Sequence, residues 1–238
     1  MQIVIDEFQN TLKNCFRELV LATAYLQIGQ QALFRSPRDA SVSLVLAEGL
    51  ETEPMFLREL QPHSAAVVFG VAELFQTKVV AAWADLLSGL FEQFVNQHIG
   101  GHRQFPAFRK RTTKLDFGSS EDVLTQVRAG LVADFAFSKY SERIQTIDRA
   151  LAPNETRNRH LQFIRKHVLI RNATQHHGGR IYEDMLRDLA AGSVQVQDSN
   201  GRAKSLSLGD SIELHVPELD LLKSSFFIVT NDWRHQLV

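Results

Sequence analysis

Apolar residues recur every three or four positions over long stretches of this chain, and that spacing restricts it to a largely helical fold. In the N-terminal segment the apolar positions form one unbroken series from Ile5 to Leu26. Spacing of this kind places the side chains on one face of an α-helix, and that face must pack against a core. The pattern predicts a first helix from about Ile3 to Ala32.

A broader apolar pattern predicts a second long helix from about Ser64 to His98. Its predicted buried positions form adjacent rows: Phe75, Val79, Val80, Trp83, Leu86, Leu87, Leu90, Phe91, Phe94 and Val95. A helix that is apolar around so much of its circumference is contacted on several sides, as in the centre of a bundle. Between the two helices, residues 35–62 are predicted to be an irregular connection with some helix, in which 42–47 fits a helical turn or a strand.

Capping signals predict further helices at 119–122 and at Asn154, and Pro217 opens the last helix. A short helix is expected from Tyr182, ended by Gly192. The predicted inward positions of the last helix are Leu222, Phe226, Val229 and Trp233. Residues 193–216 alternate with a period of two around Asn200-Gly201, a two-residue turn signal, so a small β-hairpin or meander is predicted there. The fold predicted is one all-α domain spanning 1–238, with 193–216 as a β-hairpin insertion.

The composition argues against several classes of function but does not identify one. The net charge is −1 among 238 residues, so the chain has no overall attraction for nucleic acid, and any RNA must bind a local patch. With Cys15 as the single cysteine, neither an intramolecular disulfide nor a cysteine-based metal site is expected. The four histidines at 160, 167, 176 and 177 lack the spacing of a metal site, so no metal or other cofactor is predicted.

The longest apolar stretch, 65–75, contains Gly70 and Glu73 and is shorter than the ~20 residues of a membrane span. No signal peptide is recognisable, because Asp6 and Glu7 interrupt the apolar start. We therefore expect a cytoplasmic protein without a membrane segment.

The segment 161–182 breaks its own pattern at one point. Leu161, Ile164 and Val168 form the apolar stripe of a helix, and the next members of that stripe are Arg171 and Asn172. Buried polar groups are costly unless they have partners or a task, so such a break is typical of a functional site. His176 lies one turn beyond Asn172 on the same side of the predicted helix.

Residues 171–176 read R-N-x-x-x-H, and this hexapeptide resembles the signature of the HEPN superfamily. The apolar run before it and Gly178-Gly179 after it fit the same family. The resemblance implies an all-α bundle and a metal-independent endoribonuclease acting in toxin–antitoxin, phage-defence or RNA-processing systems. It also implies a homodimer whose two motifs face each other, with RNA as substrate and an antitoxin protein as a partner.

The residue types of the motif suit RNA cleavage. Histidine titrates near neutral pH, so His176 is the candidate acid or base. Arginine binds phosphate oxygens in pairs, so Arg171 is the candidate phosphate ligand, and Asn172 is the candidate orienting residue. One histidine per chain leaves the second proton transfer unassigned, which is a physical reason to expect a dimer.

Other residues are weaker candidates. Arg103, Arg109 and Arg111 alternate with phenylalanines in a basic loop, where they could hold RNA or be solvated while the aromatic rings pack into the fold. His177 is a candidate substrate contact. In the family an acid of the central helix approaches the motif arginine; Asp85 is the candidate here, with Glu92 as an alternative, and either could simply be a solvated charge. His160 and His167 receive no role.

Two other interpretations of the motif stay open. In the first, the chain has the same fold and binds RNA, a nucleotide or a protein without cleaving it. In the second, the motif only closes a helix, with Arg171 paired to an acid and His176 satisfied in the core.

Overall fold

The computed structural model describes residues 1–37, 39–105 and 112–237, without the side chains of 63–65, and it confirms a mostly helical fold with small β elements. The helices are α1 (Gln2–Arg35), α2 (Leu57–Leu60), α3 (Ser64–Ile99), α4 (Val123–Phe137), α5 (Tyr140–Ala150), α6 (Glu155–His176), α7 (Glu183–Leu189) and α8 (Val216–Gln236), and a 3-10 turn covers Gln61–His63. The strands are β1 (Ser41–Val42), β2 (Val45–Ala47), β3 (Leu50–Glu51), β4 (Met55–Phe56), β5 (Val194–Gln197) and β6 (Ala203–Leu206).

Helices α1, α3, α6 and α8 surround one core. At its centre the rings of Phe8, Trp83, Phe226 and Trp233 contact one another, and Trp83 stacks on Trp233 with centroids 5.2 Å apart. All the predicted inward residues of α3 and α8 are buried. The 3.6-residue periodicity therefore identified the core correctly.

Buried polar contacts fix the direction of α6. The Arg157 guanidinium near the start of α6 donates to Asp148 of α5 at 2.5 Å and also to Asp232 of α8. Farther along α6, His167 accepts a hydrogen bond from Gln76 of α3. Since Asp148 also lies beside Trp233, which stacks on Trp83, α6 runs antiparallel to α3. Its last turn therefore points toward the beginning of α3.

The connection between α1 and α3 is more ordered than the irregular segment predicted. Strands β1 and β4 pair antiparallel, and the shorter hairpin of β2 and β3 lies between them in sequence. Leu44 and Thr52 close the inner hairpin, since the Leu44 amide donates to the Thr52 hydroxyl and the Thr52 amide to the Leu44 carbonyl, both at 2.9 Å. Of the two structures that fit 42–47, the strand is the one formed. Strands of two or three residues are too short to show a period, which is why the sequence pattern missed the pairing.

The predicted hairpin forms between β5 and β6, with Val194 opposite Leu206. Its turn is longer than the two residues predicted: 198–202 form the loop, and the Asp198 carboxylate accepts from the amides of Asn200 and Arg202. The end of the alternating segment, 211–216, forms no strand. Ser211 makes a single bridge to Arg180, and Val216 already begins α8. Helix α7 ends at Leu189 with Ala190 left-handed, before the predicted stop at Gly192.

Helix α3 has the length and composition of a membrane span from Ala66 to Ile99, with a mean hydropathy of 1.4 over its most apolar window, contrary to the expectation that no segment is long enough. No other helix among the described residues meets that test. From Phe75 onward, however, this helix fills the centre of the bundle. Burial against α1, α4, α6 and α8 accounts for the apolar character of that part.

Candidate active site at the end of helix α6

Helix α6 begins and ends where the sequence predicts. The Asn154 side chain caps it by accepting from the Arg157 amide at 2.8 Å. At the other end, the Gly179 amide donates to the Ala173 carbonyl at 3.0 Å, and Gly178 and Gly179 both have a positive φ, which glycine adopts without strain. The motif 171–176 therefore occupies the final turns of a well-defined helix.

Arg171 and Asn172 flank the buried row of α6 and do not form part of it. Near the helix end that row passes through Ile170 and Ala173, which are fully buried, while both motif residues are half-buried. The shift arises because α6 is contacted on two sides, so its buried face is wider than the single stripe that sequence analysis followed. The inward position expected for the polar pair is only partly realised.

The Arg171 guanidinium retains donor capacity. Its Nη1 donates to Oδ1 of Asn172 at 3.2 Å, and among the described residues its buried Nε has no hydrogen-bond partner. The Nε atoms of Arg128, Arg143 and Arg234 are buried and unpartnered in the same way, so this feature does not single out Arg171. A phosphate oxygen would have to accept from the outer nitrogens of the Arg171 guanidinium.

His176 is exposed at the last position of α6, and within the described part of the chain its ring makes no hydrogen bond or ion pair. Because the helix continues through it, His176 lies on the same side as Asn172, as predicted. It is not held in the core, in contrast to what the helix-closing interpretation expects. The neighbouring His177 is also exposed, and its ring stacks on Tyr182 with centroids 3.8 Å apart.

Neither Asp85 nor Glu92 forms an ion pair with Arg171 in the described structure; both are exposed on α3. Asp85 instead lies within electrostatic range of Tyr140, which Arg171 also influences. Burial raises the pKa of the Tyr140 hydroxyl, while the nearby Arg143 and Arg171 charges lower it and Asp85 raises it. Tyr140 donates to the Val80 carbonyl at 3.2 Å. Its place within electrostatic range of Arg171 was not predicted from the sequence.

The sequence analysis also assigned no role to Arg143. Its buried guanidinium donates to the Ala84 carbonyl at 2.7 Å and to the Ser88 hydroxyl at 2.8 Å, and it lies over the Tyr140 ring at 5.1 Å. Burial lowers the pKa of Arg143, yet an arginine stays charged. Its position beside Ile144 and Ile147 on the inner face of α5 was the available sequence signal. Its contacts hold α5 against α3.

His167 has a structural environment that the sequence did not indicate. Its side chain is fully buried: Nδ1 accepts from Gln76 Nε2 at 2.9 Å, and Nε2 donates to Glu218 at 3.0 Å. Desolvation lowers its pKa to about 4, so the imidazole is neutral at pH 7. Lys166 donates to the same Glu218 oxygen at 2.5 Å, and the Gln197 amide donates to the other oxygen at 2.8 Å.

This network joins α3, α6, α8 and β5. Burial opposes ionisation of Glu218, but the contacts with His167 and Lys166 prevail and lower its pKa to about 2. Both ring nitrogens of His167 are occupied, and the ring has no access to solvent. The network therefore stabilises the bundle and offers no reactive group.

The basic loop is described only in part. Arg103 is exposed with its guanidinium 5.3 Å from the Phe105 ring, and Phe105 itself is buried against Phe94. A packed aromatic ring matches the interpretation in which this loop only covers the fold. Arg109 and Arg111 lie outside the described residues.

Comparison with protein-family models, curated proteins and solved structures finds no significant match to this chain.

Proposed function

We propose that this protein is a metal-independent endoribonuclease of the HEPN type. The observation that carries the proposal is the R-N-x-x-x-H motif at the end of α6, where Arg171 is half-buried beside Asn172 and His176 reaches solvent. A phosphate ligand and a proton-transfer group on one helix end are what the cleavage of an RNA phosphodiester requires.

In the proposed reaction a base removes the proton of a ribose 2′-OH, and the 2′-oxygen attacks the adjacent phosphorus. The 5′-oxygen leaves with a proton from an acid, giving a 2′,3′-cyclic phosphate and a 5′-OH end. Arg171 holds the phosphate oxygens. Asn172 accepts a hydrogen bond from Arg171 and orients the side chains of the motif. His176 performs one of the two proton transfers. A second chain, with its motif facing the first, would supply the other, so a homodimer belongs to this proposal.

The test is cleavage of a mixed RNA pool by the purified protein in excess EDTA. We expect the wild type to cut and His176→Ala to lose at least 100-fold in rate, within the range that general acid–base catalysis contributes, about 10²–10⁴-fold. His235→Ala is the matched control, because its ring is also exposed but lies on α8, outside the motif. Equal cleavage by wild type and His176→Ala would refute the proposal.

A second candidate function is binding without cleavage of RNA, a nucleotide or a protein. The environment of His176 favours it, because no described residue makes a hydrogen bond that would orient its exposed ring for proton transfer. If the wild type does not cut, fluorescence anisotropy with labelled RNA decides: this function predicts that Arg171→Ala weakens binding while His176→Ala leaves it unchanged. Three further parts of the proposal depend on cleavage being observed. They are a cytoplasmic location, a role in growth control or phage defence, and neutralisation by an antitoxin protein.

A further inference from the structure

Beyond the core, the pair formed by α1 and α3 is only partly covered by the rest of the chain. The buried residues of α1 end at Leu19, and those of α3 begin at Ala72. We call residues 20–34 of α1 and 66–74 of α3 the helical arm. One side of the arm lies beside 214–217, where the rings of Phe69 and His215 are 5.2 Å apart, and the other side is open. Strands β1 to β4 form its tip.

The arm has two apolar faces where a surface helix pair needs only one. In α1, Ala22, Leu26 and Leu33 continue the inner stripe toward α3 and are half-buried. A second stripe with the same spacing, Leu21, Tyr25 and Ile28, is exposed, and Tyr25 is 73% accessible. At about 100° per residue the centres of the two stripes lie roughly 110° apart, so α3, which packs on the first stripe, leaves the second uncovered.

The charge pattern of the arm is equally unusual. Between Glu18 and Arg35 there is no charged residue, and between Glu59 and Lys78 there is only Glu73. Solvated helix faces normally carry charged residues that keep a protein soluble and monomeric. An exposed helix pair with almost none is typical of a surface that is covered by another protein chain.

A groove runs between α1 and α3 on the exposed side of the arm. One section of about 270 Å³ is lined by Ala22, Val71 and Leu74, and the next, also about 270 Å³, by Tyr25, Gly29 and Val67. A side chain built at Gly29 would meet no atom within 4 Å. Small residues in such a groove allow a partner helix to approach closely.

The exposed area suffices for a dimer. Leu21, Tyr25, Ile28, Val67 and Leu74 are each 50–73% accessible. At about 150 Å² or more for a large apolar side chain, they offer roughly 500 Å² per chain. Two such surfaces bury roughly 1,000 Å², the least area that a specific interface should reach.

We propose that the helical arm is a self-association surface, on which the arm of a second copy of this chain packs to complete a four-helix bundle. A lipid bilayer fits less well. The uncharged part of α1 has fewer residues than the ~20 of a span and includes Gln27 and Gln31, both exposed, and the tip carries Glu48 and Glu51. Glutamines are costly in hydrocarbon, whereas in a helix–helix interface they form hydrogen bonds across it.

This surface is separate from the motif. On α3 the groove row Val67, Val71 and Leu74 lies roughly opposite Gln76, the residue by which α3 contacts α6. A copy bound to the arm therefore leaves residues 171–176 uncovered, and this proposal does not depend on ribonuclease activity.

The experiment is sedimentation velocity of the full chain with Tyr25→Glu/Ile28→Glu, which places two charges on the exposed stripe. We expect the wild type to form larger assemblies than the double variant, in which association through the arm should weaken by 100-fold or more in Kd. A dimer formed through facing motifs would be present in both proteins. Leu208→Glu is the matched control, since Leu208 is 61% exposed outside the arm, and we expect it to associate like the wild type.

A second variant separates association from folding. Gly29→Arg fills the groove with a charged side chain while replacing glycine by a better helix former, so the protomer should unfold at a higher temperature while its association weakens. Assemblies of the same size and Kd in the wild type and in both variants overturn the proposal. So does a wild type that is monomeric, whether or not it floats with vesicles of phosphatidylcholine and phosphatidylglycerol. Loss of RNA cleavage in His176→Ala bears only on the proposed function, because His176 is outside the arm.

Discussion

His167 is the residue whose chemistry depends most on its tertiary environment. In an unfolded chain a histidine has a pKa near 6.5, and burial in this protein lowers it to about 4. The unfolded state therefore binds more protons than the native state between these pH values. By linkage, the contribution of His167 to the free energy of unfolding is fully present above pH 6.5 and is lost as the pH falls toward 4.

We therefore expect the free energy of unfolding to fall by about 2 kcal/mol between pH 7 and pH 5 because of His167 alone. Replacement by glutamine, His167→Gln, removes the titrating group and should flatten this part of the pH profile, measured by urea unfolding at each pH. His235→Gln is the control, since His235 lies exposed on α8, outside the buried contacts among Gln76, His167 and Glu218. An unchanged slope in His167→Gln would assign the acid sensitivity to other groups.

At the scale of the elements, one buried cation joins α5, α6 and α8. Arg157 is 1% exposed and donates to Asp148 and Asp232 and to the Ala152 carbonyl at 2.8 Å. Asn154 also donates to Asp232, at 3.0 Å. The same residues cap α6 and join it to its neighbours, so helix start and tertiary packing are coupled.

The substitution Arg157→Met should lower the free energy of unfolding by about 3–5 kcal/mol, because it leaves the Asp148 carboxylate buried without its cation. Chemical denaturation measures this directly. Arg159→Met, two residues away on the exposed side of α6, should change stability by less than about 0.5 kcal/mol. Similar values for the two variants would mean that the buried ion pair is dispensable.

At the scale of the whole molecule, the bundle and the helical arm differ in how much each element is buried. Ile5, Leu12 and Trp83 in the bundle are completely or almost completely excluded from solvent, whereas the outer half of α1 contains no fully buried side chain. Local stability follows the number of buried contacts, so these parts of one continuous helix should open with different free energies.

Native-state hydrogen exchange of Tyr25→Glu/Ile28→Glu should show this difference. We expect amides of residues 20–34 to exchange at least 100-fold faster than those of residues 5–19, since the arm contributes little burial in a single chain. In the wild type, association should protect residues 20–34 in a concentration-dependent way. Uniform protection along α1 in the double variant would show that the arm is stable by itself.

Local patterns in the sequence were sufficient for much of the fold. The apolar spacing located α1, α3 and α8 and their inward residues, because helix periodicity and burial are both local consequences of residue order. The Asn154 cap and Gly178-Gly179 bounded α6 for the same reason: a cap acts within one turn. The sequence also determined the order Arg171, Asn172 and His176 along that helix, and hence that the last two lie on the same side.

Only the tertiary structure decided which polar residues meet. The contact of His167 with Gln76 and Glu218 spans residues far apart in sequence, and no local pattern encodes such a pairing. Tyr140 came within electrostatic range of Arg171 in the same way, while Asp85 did not pair with Arg171. The exposed stripe of Leu21, Tyr25 and Ile28 had the spacing of a core face, yet its exposure depends on where the other helices end. Burial is a property of the packed chain, so periodicity predicts that a face is apolar, and only packing determines what covers it.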